Sequence, residues 1–118
     1  MKSAEYDEMI SRLKLATEKN MLKWSLDKDD STLFTTSVNG CIIDVSVYYD
    51  SAALSNKAIL ELYNTDGESF KRKVFSEKGM PERFNQINEL HDLIYNNYYK
   101  IKESENLILD GLRELTGD

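Results

Sequence analysis

Side chains able to do chemistry are few and scattered along this chain. His91 is the sole histidine, and one imidazole cannot complete a three-ligand zinc site. Asp92 is next to it in sequence but on a different helical azimuth, so packing at the core boundary is the expected role. Ser11-x-x-Lys14 and Ser25-x-x-Lys28 match the S-x-x-K string of some acyl enzymes, yet neither comes with the partner motifs that give the string meaning. The cluster Asp27-Lys28-Asp29-Asp30-Ser31 opens like a calcium loop, but Thr32 stands where the EF-hand turn needs glycine and Val38 where it needs a bidentate glutamate. It reads as a solvated turn. Five glycines form neither G-x-G-x-x-G nor a phosphate loop. Asp44 stands out among the carboxylates because it falls mid-strand opposite Thr35; a hydroxyl-paired or solvated side chain is the expected state. No catalytic, cofactor-binding or metal-ligating residue is assigned, and no cofactor is expected.

The element that would position Asp44 is the clearest in the chain. Thr32 to Tyr49 places two β-rich runs around Asn39-Gly40, the residue pair that tolerates both positive φ angles of a type I′ turn. Counting outward pairs Val38 with Cys41, Thr36 with Ile43, Phe34 with Val45 and Thr32 with Val47. Phe34, Val38, Cys41, Ile43, Val45 and Val47 then face a core, while Thr35, Ser37, Asp44 and Ser46 face water. Cys41, the only cysteine, is expected to be an inert thiol on the apolar face.

The rest of the chain is built around that sheet. Ala4 to about Lys19 has helical spacing in Tyr6, Met9, Ile10 and Leu13, with Ser3 as N-cap. Leu22, Trp24 and Leu26 alternate as a strand would. Asp50 to Asn56 reads as a loop. Ala58 to Asn64 and Ser69 to Phe75 form a second hairpin about Asp66-Gly67, in which a two-residue turn pairs Tyr63 with Phe70 and Ile59 with Val74 and sets Leu60 and Leu62 beside Lys73 and Lys71, with Leu60 and Leu62 inward and the last strand short, bulged or at the sheet edge. Pro81 opens a long helix with Phe84, Ile87, Leu90, Ile94, Tyr98 and Ile101 on one stripe. A break near Lys102 or Glu103 precedes a short helix from Ser104, carrying Leu107, Ile108, Leu112 and Leu115 and ended by Gly117. The fold class is α+β: an N-terminal helix, a four- to five-stranded antiparallel β-meander and two C-terminal helices packed on one sheet face, in a single domain over residues 1–118.

With 41% hydrophobic and 31% charged residues, the composition is that of a folded globule. The formal charge of −6 argues against nucleic acid, because phosphate binding needs a concentrated positive field, and no apolar run is long enough to span a bilayer. No apolar run of signal-peptide length opens the chain, so a cytoplasmic location is expected. Residues 80–118 hold four basic against eight acidic side chains, which favours a basic partner. Lys-Trp before the first sheet strand, Val-Asn-Gly-Cys-Ile-Ile at the central turn and Leu-Tyr-Asn-Thr-Asp-Gly at the second resemble small uncharacterised proteins of bacteria and their phages or mobile elements. That resemblance implies no activity.

These readings favour a non-enzymatic, acidic protein-interaction module of the inhibitor, immunity or adaptor type, using a protein partner or self-association. The partner-binding residues are expected in the C-terminal third: Tyr98, Tyr99, Leu109, Leu112 and Leu115. A small hydrolase or transferase using Asp44, His91 and tyrosines is one alternative; a secretion-type chaperone, also small, acidic and α+β, is another, although the second helix usual between the strands of such chaperones is not evident between Tyr49 and Lys57.

Overall fold

The computed structural model describes residues 3–117. Strands β2 (Leu33–Val38) and β3 (Cys41–Asp50) are joined by Asn39 and Gly40 at φ 52° and 79°, the two left-handed conformations a type I′ turn requires. Val38 therefore pairs with Cys41, Thr36 with Ile43 and Phe34 with Val45. The ladder stops at Leu33 opposite Ser46, so the expected Thr32–Val47 pair does not form. Thr32 is held instead in the preceding turn, where its N–H and hydroxyl both donate to Asp30 Oδ1.

Phe34, Ile43 and Val45 are buried as the register requires, and Val47 packs against their cluster. Two assignments at the ends differ. Val38 is 41% exposed, since it borders the turn, and Cys41 beside it is only half-buried. Ser46, expected in water, is 7% exposed; Leu33 and Ile59 flank it on the neighbouring strands and cover so small a side chain.

The sheet begins with β1 (Ser25–Leu26) and continues beyond β3 through β4 (Ser55–Tyr63) and β5 (Ser69–Ser76), in spatial order β1-β2-β3-β4-β5. The stretch expected as a loop after Tyr49 closes more tightly. Asp50 Oδ1 accepts the N–H groups of Ala52 and Ala53 at 3.0 and 3.2 Å, and Asp50 pairs directly with Ser55. In the last hairpin Leu60 faces Lys73 and Leu62 faces Lys71, as expected, but a bulge at Leu62/Tyr63 pairs Tyr63 with Ser69 rather than Phe70. Its cause is the turn: of Asp66 and Gly67 only the glycine takes positive φ, while Asn64 Oδ1 accepts the N–H groups of Asp66 and Glu68 and sets a longer loop than Asp-Gly alone would.

Strand β1 is only Ser25–Leu26, shorter than the alternation from Leu22 suggests. The carbonyl of Lys23 accepts the Thr36 hydroxyl at 2.9 Å, and Trp24 Nε1 donates to Thr17 Oγ1 at 3.0 Å. Trp24 is thus a core anchor tied to a helix rather than a ladder residue.

Helices α1 (Ser3–Glu18) and α2 (Pro81–Thr116) close one core with the sheet. Tyr6, Ile10 and Leu13 from α1 and Phe84, Ile87, Leu90 and Ile94 from α2 cluster with Phe34, Val45, Leu60 and Leu62. Ser3 is already helical, and its hydroxyl accepts from Arg83. The expected pair of C-terminal helices is one helix of 36 residues. Ser104 does not cap a second helix, because its hydroxyl donates back to the Lys100 carbonyl at 3.0 Å, a bond compatible with continuing the helix. Gly117, at φ 79°, ends it.

Phe34 is fully buried beneath three rings of α2, so Phe34→Ala is expected to cost about 3–5 kcal/mol. Urea unfolding checks this, and a loss under about 1 kcal/mol would mean that the site collapses freely around the missing ring.

Candidate functional site: the free half of the long helix

Helix α2 leaves the domain part-way along its length. At about 1.5 Å per residue, its 36 residues extend roughly as far as the molecule's longest dimension of 56 Å. Its fully buried side chains end at Ile94, and from Ile101 to Asp110 every residue is exposed. The radius of gyration, 16.6 Å, exceeds the value of about 13.5 Å expected for a compact chain of this length, which is the signature of the projecting helix.

The projecting part keeps an apolar stripe. Ile87, Ile94, Ile101, Ile108 and Leu115 recur every seventh residue and so fall close to one line along the helix, although the position three residues on, Leu90 at first, becomes Asn97, Ser104 and Gly111. Ile87 and Ile94 are buried against the sheet; Ile101, Ile108 and Leu115 are exposed. Leu107, Leu109 and Leu112 widen the stripe, all exposed, and Leu115 is 85% exposed. Acids line it: Glu103, Glu105, Asp110 and Glu114 against Arg113 alone give residues 103–117 a charge of −3.

At the base of the free segment the stripe meets the core. Phe34 is met edge-on by His91, Tyr95 and Tyr98 at centroid distances of 5.4, 6.4 and 5.5 Å. Tyr98 packs partly into this cluster, whereas Tyr99 is surface-exposed and meets the Tyr95 ring at a tilt of 51°, centroids 4.7 Å apart. A cleft of about 330 Å³ opens between β1 and α2, lined by Leu22, Trp24, Leu26, Tyr98 and Ile101. The five expected partner-binding residues, Tyr98, Tyr99, Leu109, Leu112 and Leu115, thus lie along one continuous helix. Ile101 and Ile108 belong with them. The seven-residue repeat that joins them to the core was readable in the sequence, but an assumed break near Lys102 cut it in two.

The other chemical candidates do not converge. His91 lies on the helix-covered side of the sheet; the Thr32 carbonyl, 2.7 Å from Nε2, can only accept, so Nε2 carries the hydrogen. Asp44 alternates with the buried Ile43 and Val45 and occupies the opposite, open face. There it accepts the Thr35 hydroxyl at 2.7 Å and sits directly opposite Glu61. Glu61 in turn accepts the Ser69 hydroxyl at 2.7 Å and lies 3.7 Å from Arg72. Burial, then the charge of Asp44 and hydrogen bonding to Glu61, push the neighbouring Tyr63 hydroxyl up to about 12. Sequence reasoning missed the Asp44–Glu61 pair because the β3–β4 register depends on the Asp50 turn. Hydroxyl donors and Arg72 already serve both carboxylates, which makes this row a cross-strand polar network. Among the described residues no three His, Cys, Asp or Glu side chains gather as a metal site, and no helix is long and apolar enough to cross a membrane.

Comparison with protein-family models, curated proteins and solved structures finds no match.

Gly111 lies in the free segment, where an added Cβ would meet nothing within 4 Å. Gly111→Ala is therefore expected to strengthen the helix locally by about 0.5–1 kcal/mol while leaving the urea midpoint of the domain unchanged. Circular dichroism with urea titration checks both, and a shifted midpoint would mean that this half of α2 unfolds with the core.

Proposed function

We propose that the chain is a non-enzymatic interaction module that uses the free half of α2 to pair with a helix of a basic-flanked partner protein. The observation that supports this most directly is the apolar line repeated every seventh residue, buried up to Ile94 and exposed at Ile101, Ile108 and Leu115, with Leu107, Leu109 and Leu112 exposed beside it. An apolar stripe of this length left in water is costly, and covering it contributes affinity in proportion to area removed from solvent. The charge of the segment argues for a different protein over a second copy: two like segments of −3 laid side by side repel, whereas lysines or arginines flanking a partner's apolar seam attract. An inhibitor, immunity or adaptor role, in which the chain acts by covering a partner, is consistent with this arrangement. A cytoplasmic setting suits a chain with one half-buried thiol. The secretion-chaperone reading is less favoured, because β3 and β4 are joined by a tight turn and not by a helix.

The test uses full-length Ile108→Asp/Leu112→Asp, whose exposed sites leave the domain folded. A partner recovered with the native chain is purified and its binding measured at rising salt. The expected result is a loss of at least about tenfold in affinity in the double variant and weaker binding at high salt. Binding unaffected by the two aspartates would refute the proposal. Concentration-dependent dimers that the same substitutions abolish would replace the basic partner with a second copy.

A further inference from the structure

At the root of the free helix, next to the cleft lined by Trp24, an open hollow of about 610 Å³ lies between β1 and α2. Tyr98 and Tyr99 make one corner of it, their rings at 87° with centroids 5.1 Å apart. Glu103 and Asn106 follow Tyr99 along the same helix face, and Leu26 and Leu107 add apolar wall. Packing on Phe34 accounts for Tyr98. It does not account for Tyr99, which is 42% exposed beside a carboxylate, Glu103, that is in no ion pair among the described residues. The hollow thus offers a carboxylate, an amide oxygen and two aromatic rings, all of which attract cations. Lys102 is the one cation on its wall. It also borders the neighbouring cleft together with Glu105, three residues on and within its reach.

We propose that this hollow seats an arginine side chain of the partner, its guanidinium laid on the Tyr99 ring and forked onto the Glu103 carboxylate, its hydrocarbon stem along Leu26 and Leu107. The inference rests on the reading of the free helix as the docking surface and deepens it: Leu107 belongs both to the hollow and to the exposed apolar stripe, so one of the basic residues flanking the partner's apolar seam is an arginine at the root of α2. Arginine fits better than lysine because a planar guanidinium stacks on a ring and grips a carboxylate with two N–H groups at once, whereas an ammonium is a hydrated point charge. A purely apolar guest would leave the Glu103 carboxylate covered and unpaired, which is costly.

The test is a titration of the full chain with N-acetyl-arginine amide, N-acetyl-lysine amide and the uncharged isostere N-acetyl-citrulline amide, followed by nuclear magnetic resonance. The arginine probe is expected to move the signals of Tyr98, Tyr99, Glu103 and Leu107 together on one saturating curve, at least about fivefold tighter than either other probe. Glu103→Gln and Tyr99→Leu, both at exposed positions and so compatible with folding, should each erase that preference. The variant Ile108→Asp/Leu112→Asp should keep it, since a single arginine needs no helix pairing; a partner indifferent to those two aspartates while the arginine probe still binds would therefore fail the docking surface and leave the arginine seat standing. Absence of saturation, equal affinity for citrulline, shifts spread over Asp110 and Glu114, or a preference that survives both Glu103→Gln and Tyr99→Leu would overturn the proposal.

Discussion

The Phe34 ring is the contact on which the rest of the molecule depends. It is buried to the last atom, it lies on the helix side of the sheet because of the two-residue turn that begins five positions on at Asn39, and three rings of α2 close over it. A shift of the β2–β3 register by one residue would turn Phe34, Ile43 and Val45 outward together, and α2 would have nothing to lie on. The Asn39-Gly40 turn therefore fixes where the long helix lies. That line in turn decides which of its residues are covered.

A sheet of five short strands covers only part of a 36-residue helix. The same seven-residue spacing that packs Ile87 and Ile94 onto the sheet continues through Ile101, Ile108 and Leu115, where no sheet remains. The free half of α2 is thus a continuation of core chemistry beyond the core, held straight by the buried half. Such a segment offers apolar area with little loss of backbone freedom on binding, which lowers the entropic cost that a disordered tail would incur.

Much of this was legible in the residues, and for physical reasons. Side-chain alternation and Asn-Gly geometry determine a hairpin locally, so the pairing of Phe34 with Val45 and the inward Leu60 and Leu62 could be counted out in advance. The edge position of β5 was legible in Lys71 and Lys73 facing leucines, whereas the bulge beside the last turn was not. What was not legible depended on side-chain hydrogen bonds to the backbone. Ser104 has the look of an N-cap, yet it bonds back to Lys100 and the helix runs on. Asn64, not Asp66-Gly67, sets the last turn. Thr36 takes the Lys23 carbonyl and trims β1 to two residues. That Leu109, Leu112 and Leu115 share one helix with Ile101 and Ile108 was not legible, because it needed the helix to run unbroken past Ser104. The hollow beside Tyr98 and Tyr99 takes one wall from Leu26 in β1, and no local pattern announces it.

Amide hydrogen exchange on the free full-length chain tests most directly whether half of α2 stands outside the core. The account predicts that amides from Glu103 to Thr116 exchange by local fraying, orders of magnitude faster than those of Phe84 to Ile94, whose opening requires global unfolding. Equal protection along the whole helix would contradict it, because slow exchange beyond Ile101 would mean that the stripe is already covered.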